Sequence, residues 1–186
     1  KNVDEMFNWG LKETNCPYIA FLSNTSRVEP MWIGSALAIM KEYPKAGVIG
    51  FKIVRPAGLI ENAGVLLYLG EARSIGLNEP GHRYSAIYHV DAVGMCACLF
   101  RREAIIEVCR FSSYIPFSGF DDLSYCLELK EKGWDIIYCG YGVVYHDDSA
   151  NATRWLNPDF QENKKRFEAR WQHLLDREIS MIHALQ

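Results

Sequence analysis

Three short polar clusters carry side chains suited to chemistry. Ser23-Asn24-Thr25-Ser26 follows the apolar run Tyr18–Leu22. Ligands of α/β sheets collect at the carboxyl ends of strands, so these hydroxyls could bind phosphate or sugar oxygens. They are poor replacements for carboxylates around a hard divalent cation, and the same turn could simply cap the helix that begins near Pro30. Phe120-Asp121-Asp122 follows Ser118-Gly119. Carboxylates at a helix start enjoy the positive end of the dipole and cap N–H groups, which explains one aspartate but not two. Helical neighbours diverge by about 100°, so one can cap while the other faces a cleft as a general base toward a hydroxyl. His146-Asp147-Asp148 ends the apolar run Val143–Tyr145 and has metal-ligand composition, which is also that of an ordinary polar loop. His82 and His89 lack supporting neighbours and are expected on the surface or in the core. The tryptophans 9, 32, 134 and 171 are expected in the core, and Trp155, in a polar loop, is the candidate for stacking on a sugar.

Elements positioning these clusters follow from periodicity and punctuation. Val3, Phe7 and Leu11 recur at helical spacing, and Tyr18–Leu22 reads as a buried strand. Trp32 to Tyr43 is an amphipathic helix stopped by Pro44, and Gly47–Val54 is another apolar strand. The glycine-rich stretch from Pro56 to Gly81 allows short strands near Leu59–Ile60 and Val65–Tyr68. Ile87–Phe100 is apolar and extended, with Gly94 as a bulge or close approach. Helices are expected over Arg101–Val108 and Asp121–Lys132, the latter ended by Gly133, then strands over Asp135–Tyr138 and Val143–Tyr145. Asn157-Pro158 caps a long helix carrying Phe160, Phe167, Trp171, Leu174, Leu175 and Ile182. The expected organisation is an α/β three-layer domain over residues 1–156, with the helix of 157–186 packed on it.

Composition excludes several classes. The 186 residues have a net charge of −3 and 49% hydrophobic content, which is globular rather than disordered. No apolar run approaches the length of a membrane span. No basic block marks a nucleic-acid surface. The six cysteines form no CxxC pair and read as buried hydrophobes of a reducing, cytoplasmic setting. The glycines match neither GxGxxG nor a P-loop.

The order of these pieces resembles the family-2 glycosyltransferases of the GT-A fold. The residues that carry the resemblance are Asn8-Trp9-Gly10, FLSNTS at 21–26, GVIGFKIVRPAGLIENAG at 47–64, VDAVGMCACLFRR at 90–102, GFDDLSYCLELKEKG at 119–133 and VVYH at 143–146. The family pattern has a Gly-x-Ile-Gln-x-Ala-Gly segment where this chain reads Gly58–Gly64. The resemblance implies a GT-A-like three-layer domain with a mixed central sheet. It also implies inverting transfer from a nucleotide-sugar to a glycan or other hydroxyl acceptor, with Asp122 as base beside Asp121. Ser23, Asn24 and Thr25 would then face the donor, Asp91 and Gly94 the acceptor, and His146 a divalent metal (Mn or Mg).

Two departures shape the expectation. The family's Asp-x-Asp turn, which holds the metal on the diphosphate, is Ser23 and Thr25 here, and a later family aspartate is Ser124. The family's first, nucleotide-gripping strands have no counterpart ahead of Lys1. A fragment of an enzyme, membrane-associated through its parent protein, is one expectation; a catalytically inactive binding module is the other. An incomplete sheet would expose an edge for a partner or a second copy of the chain to cover.

Overall fold

The computed structural model describes residues 3–68, 71–108, 119–147 and 156–183, with side chains at 5–68, 71–108, 119–147 and 156–176. In chain order the elements are α1 (Val3–Glu13), β1 (Tyr18–Leu22), β2 (Ser26–Val28), α2 (Trp32–Glu42), β3 (Ala46–Val54), β4 (Ile60–Asn62), β5 (Val65–Tyr68) and β6 (Glu71–Ser74). There follow β7 (Ile87–His89), β8 (Ala97–Arg101), α3 (Arg102–Glu107), α4 (Asp121–Glu131), β9 (Asp135–His146) and α5 (Pro158–His183).

β3 is the spine, and every one of its residues is buried. Its near-continuous apolar run has no polar face because helices cover both sides of the sheet. It pairs antiparallel with β8 and parallel with β9. The sheet order is β1-β8-β3-β9-β2, with β4 added to β3 and β7 to β9, while β5 and β6 form a separate hairpin. On one face α2 packs Ala36, Ile39 and Met40 against Ile49, Phe51, Leu99 and Ile137. On the other, Leu11, Ile105, Leu123, Leu127 and Trp171 meet Val48, Phe100, Ile136 and Tyr138. This is the expected three-layer arrangement around a mixed sheet. Phe51 and Phe100, each 1% exposed, contribute on the order of 2–3 kcal/mol apiece by burial.

Two arginines close the amino end of β3. Arg101 donates from Nε to Ala46 O (2.9 Å) and from Nη2 to Met40 O (2.7 Å) and Tyr43 O (3.1 Å). Arg102 donates from Nη2 to Leu11 O (2.9 Å). Carbonyls at helix ends lack intrahelical donors, and the guanidinium forks supply them. Lys52 is 2% exposed and gives its ammonium to Gly81 O (3.1 Å), Arg83 O (2.9 Å) and Ser85 Oγ (3.0 Å). Burial lowers its pKa, against the opposing charge of Glu29.

Several local expectations change. Ile87–Phe100 is two strands, not one. Between them Val65 O receives Asp91 N (2.9 Å) and Ala92 N (3.1 Å), drawing the chain toward β5. Gly94 is a close approach as expected, since a Cβ there would lie 2.7 Å from Ile53 Cδ1. The two short strands after Gly133 are one continuous β9, whose register against β3 jumps from Phe51↔Cys139 to Lys52↔Val143. The intervening glycines look like a turn in sequence but form a bulge. β1 is not buried but lies at the sheet edge with Ala20 and Leu22 exposed. β6, exposed throughout, offered no apolar period to read. Trp9 is 58% exposed rather than core, whereas Trp171 is fully buried.

Candidate active site at the carboxyl end of the sheet

β1 and β3 are both antiparallel to β8, and β9 is parallel to β3. Leu22, Val54 and His146 therefore end on the same side of the sheet, where β8 begins. α4 leads through the Gly133 turn into the start of β9, and its own beginning returns to that carboxyl end. Burial raises the pKa of the Cys98 thiol near the start of β8, with Cys126, Cys96 and the Asp122 charge adding to it. The topology thus gathers the Ser23–Ser26 turn, the Asp121-Asp122 pair and His146 at one end.

The turn is tightly built. Ser26 N donates to Ser23 O (3.0 Å) and Ser23 N to Cys96 O (2.7 Å). The Ser23 and Thr25 hydroxyls bond each other at 2.8 Å. Ser26 pairs with His146 across β2 and β9, and Asp147 N reaches Thr25 O at 3.3 Å. Asn24 is exposed. Gly94 lies on the loop entering Cys96, with Asn62 Cγ 4.0 Å from where its Cβ would be.

α4 begins from Phe120 in the left-handed conformation (φ 67°), after Gly119 at φ 107°. A Cβ on Gly119 would lie 2.5 Å from the Phe160 ring of α5. The two aspartates accept from backbone rather than share one role. Asp121 Oδ1 takes Gly119 N at 2.9 Å, bracing the turn, and Asp122 Oδ1 takes Leu123 N at 2.8 Å. Ser124 faces α5 and accepts the Trp171 indole N–H at 2.9 Å, where both are buried. Together with Phe160 on Phe120 (5.2 Å between ring centroids), this ties α5 to the head of α4.

Asp91 lies elsewhere. Its Oδ2 accepts Leu67 N at 2.8 Å and its Oδ1 pairs with Lys130 Nζ. Lys130 stands about 12 Å of helix beyond Asp122, and the neighbouring Val90 N bonds Ile136 O near the start of β9. Trp155 lies outside the described residues. His89 is exposed and 3.7 Å from Asp135, and His82 is exposed.

One residue at this end was missed in sequence. Glu61 of β4 sets both carboxylate oxygens 3.3 Å from His146 Nδ1. The signal was a glutamate where the family pattern has glutamine. Glu61 joins Asp121, Asp122 and Asp147 among the carboxylates of this end, where Arg27 on β2 and Arg55 after β3 also stand.

The donors do not fit a divalent metal. The turn offers two neutral hydroxyls bonded to each other, and the Nδ1 of the one imidazole is held by Glu61. Among the described residues no three His, Cys, Asp or Glu side chains converge on a common point. Hard cations call for carboxylate oxygens that are absent from the turn.

The architecture matches solved structures. GalNAc-T7, crystallised with UDP, GalNAc and Mn2+, superposes with a TM-score of 0.61 at 12% identity, over 78% of this chain and 30% of that one. The fold is GT-A-like. A197 from STIV superposes with a TM-score of 0.52 at 12% identity, over 77% of this chain and 64% of that one. Two curated proteins are similar in sequence. The uncharacterized protein y4gI of Sinorhizobium fredii is 24% identical over 89% of the chain, and the O-antigen biosynthesis protein RfbC of Myxococcus xanthus is 24% identical over 81%. The chain spans only 19% and 12% of the lengths of these relatives. No family model matches the chain. Among the described residues no helix is long and apolar enough to cross a membrane.

Proposed function

We propose that the chain is a glycosyltransferase unit transferring a sugar from a nucleotide-sugar to a hydroxyl acceptor with inversion. The observation that carries this is the Asp121-Asp122 pair at the head of α4, on the same carboxyl end of a GT-A-like sheet as the Ser23–Thr25 turn. Asp122 takes the proton from the acceptor hydroxyl while that oxygen forms its bond to the anomeric carbon. The bond to the diphosphate oxygen breaks on the opposite face, and its electron pair leaves with the nucleoside diphosphate. Asp121, braced on Gly119 N, holds the turn that aims Asp122. The similarity to an O-antigen biosynthesis protein makes a glycan the favoured acceptor. Residues 1–156 and the helix of 157–186 act as one unit, an assignment favoured by the Trp171–Ser124 hydrogen bond.

The test is transfer from a panel of nucleotide-sugars by the 186-residue chain and by a longer form carrying more of the parent protein. Asp122→Asn is expected to lower the rate by about 10²–10⁴-fold with folding intact. An unchanged rate removes Asp122 as the base. The second reading is a binding module without transfer, favoured by Ser23 and Thr25 standing where the family carries carboxylates. It predicts glycan binding with no turnover in either form.

A further inference from the structure

The Ser23–Ser26 turn runs directly into β2, and the ladder between β2 and β9 fixes which way the side chains of β2 point. Glu29 N donates to Val143 O (3.1 Å) and Asp147 N to Thr25 O (3.3 Å), on either side of the pair Arg27↔Tyr145. Thr25, Arg27 and Glu29 therefore occupy alternate positions and share one face of β2. Val28 turns the other way and packs with Val144 in the α2 layer. The Arg27 guanidinium lies over the Tyr145 ring, 4.8 Å from its centroid. That ring is itself held, because its hydroxyl donates to Glu29 Oε1 at 2.9 Å. Arg27 is exposed, and among the described residues its N–H groups meet no acceptor. Glu29, the neighbouring carboxylate, is engaged by Tyr145, and its charge is set against that of the buried Lys52 ammonium.

We propose that Arg27, with the Ser23 and Thr25 hydroxyls, binds the diphosphate of the nucleotide-sugar without a divalent metal. This rests on the transferase reading of the same end of the sheet. The turn lacks the acceptors that a hard cation needs and carries the donors that an anion needs. Two hydroxyls bonded to each other at 2.8 Å hold two hydrogens and use one between them, so one remains to donate outward. Arg27 stands two positions on, about 7 Å along the strand. It adds a permanent positive charge and a planar fork that suits phosphate oxygens. Stacking on a fixed ring orders the guanidinium before any ligand arrives, which lowers the entropy cost of binding. The positive charge that a metal would bring to the departing diphosphate then comes from the chain itself. Asp147, opposite Thr25 on β9, opposes an anion here, and its removal offers a separate check.

Calorimetry with UDP and with inorganic pyrophosphate in EDTA, on the 186-residue chain and on the longer form, tests this. Both ligands are expected to bind more tightly than sulfate, and replacing EDTA by MnCl₂ is expected to bring no gain. Arg27→Met is expected to weaken both by about tenfold or more. Arg27→Lys, which keeps the charge and loses the fork, is expected to weaken them by less. Asp147→Asn is expected to tighten them. Circular dichroism checks folding, and Arg27→Lys carries the comparison if the methionine variant fails to fold.

Unchanged affinity in the Arg27 variants, or sulfate binding as tight as pyrophosphate binding, overturns the site. The arginine is then only a charge that guards an edge strand. Binding that appears only with Mn2+, or that weakens in Asp147→Asn, overturns the metal-free assignment, and so does no binding of either ligand by both forms. Binding is read without turnover, so the two ideas fail separately. Sugar transfer that depends on Asp122 and on Mn2+ loses only this inference. Arg27-dependent diphosphate binding with no transfer in either form loses only the transferase reading.

Discussion

The two ends of the central sheet both hold charged side chains, but they spend them differently. At the amino end of β3, Arg101 and Arg102 reach backbone carbonyls of α1, of α2, of Tyr43 and of the first residue of β3. Long, planar forks with several donors can satisfy several distant carbonyls at once, so charge there closes the fold. At the carboxyl end most of the polar groups are short: two hydroxyls, two aspartates at a helix head, and a histidine backed by a glutamate. The hydroxyls bond each other, and each aspartate holds a backbone N–H within two residues along the chain. Short side chains with local partners hold their own shape without bridging layers, and that is what a ligand-facing surface requires. Polarity in the sequence alone did not separate these uses.

The largest effect expected from challenging this contrast is a gain. Ser23→Asp with Thr25→Asp places two carboxylates in the turn opposite His146. Mn2+ binding is expected to rise from undetectable to a dissociation constant on the order of 10⁻³ M, which is about 4 kcal/mol; calorimetry on both proteins checks it. Equal Mn2+ binding by the unsubstituted chain would blur the distinction between hydroxyl and carboxylate turns.

At the other end, Arg101→Met leaves carbonyls without their donor and is expected to cost about 2–3 kcal/mol of stability. Urea denaturation measures it. Glycan binding by the folded fraction should be unaffected, and a loss of binding without a loss of stability would assign the arginine to the site.

A smaller effect comes from Glu128 on α4, paired with Arg170 at 2.9 Å. Burial raises its pKa above 4.5, more than Arg170 lowers it. The folded state therefore binds the proton more readily than the unfolded chain. This contribution is fully present below pH 4.5 and is lost as pH rises through the raised value. Glu128→Gln should flatten the stability profile in that window, with a change below about 1 kcal/mol at neutral pH. Thermal melts across pH 4 to 8 read it.

Least of all in energy, native alkylation is expected to label exposed Cys16 and spare Cys98 and Cys126. Burial pushes the Cys126 thiol up to about 12 and Cys98 well above its usual value. Mass spectrometry of peptides labelled before and after unfolding separates the two groups.

What the sequence disclosed follows from the range of the interactions involved. α2 and α4 were legible because their apolar periods are bracketed by Pro30, Pro44 and Gly133, all local signals. The edge position of β1 was not, because an apolar run looks the same at an edge as in the middle. β9 was split in two because its glycine-containing bulge imitates a turn; only the packing of Gly140 against Tyr84 O, which would lie 2.1 Å from a Cβ, shows why glycine is needed there. In the site, the carboxylate pair and the hydroxyl turn were visible as composition. The binding of Asp91 to Lys130 and of His146 to Glu61 was not, since those partners lie 39 and 85 residues apart. Ser124 read as a lost aspartate; in the fold it is the hydrogen-bond acceptor of a buried indole.

Lys52 has a dynamic consequence. Its ammonium is gripped by Gly81, Arg83 and Ser85, so this segment cannot lift from the sheet without stranding a cation in an apolar layer or carrying it into water. Such a segment opens as one cooperative unit or not at all. Its amides should exchange hydrogen at a common slow rate, matching β3 rather than the neighbouring hairpin of β5 and β6. The glycine-rich middle of the chain, the stretch whose sequence most suggests a loose surface loop, is thereby pinned at 81–85 to the most deeply buried strand of the molecule.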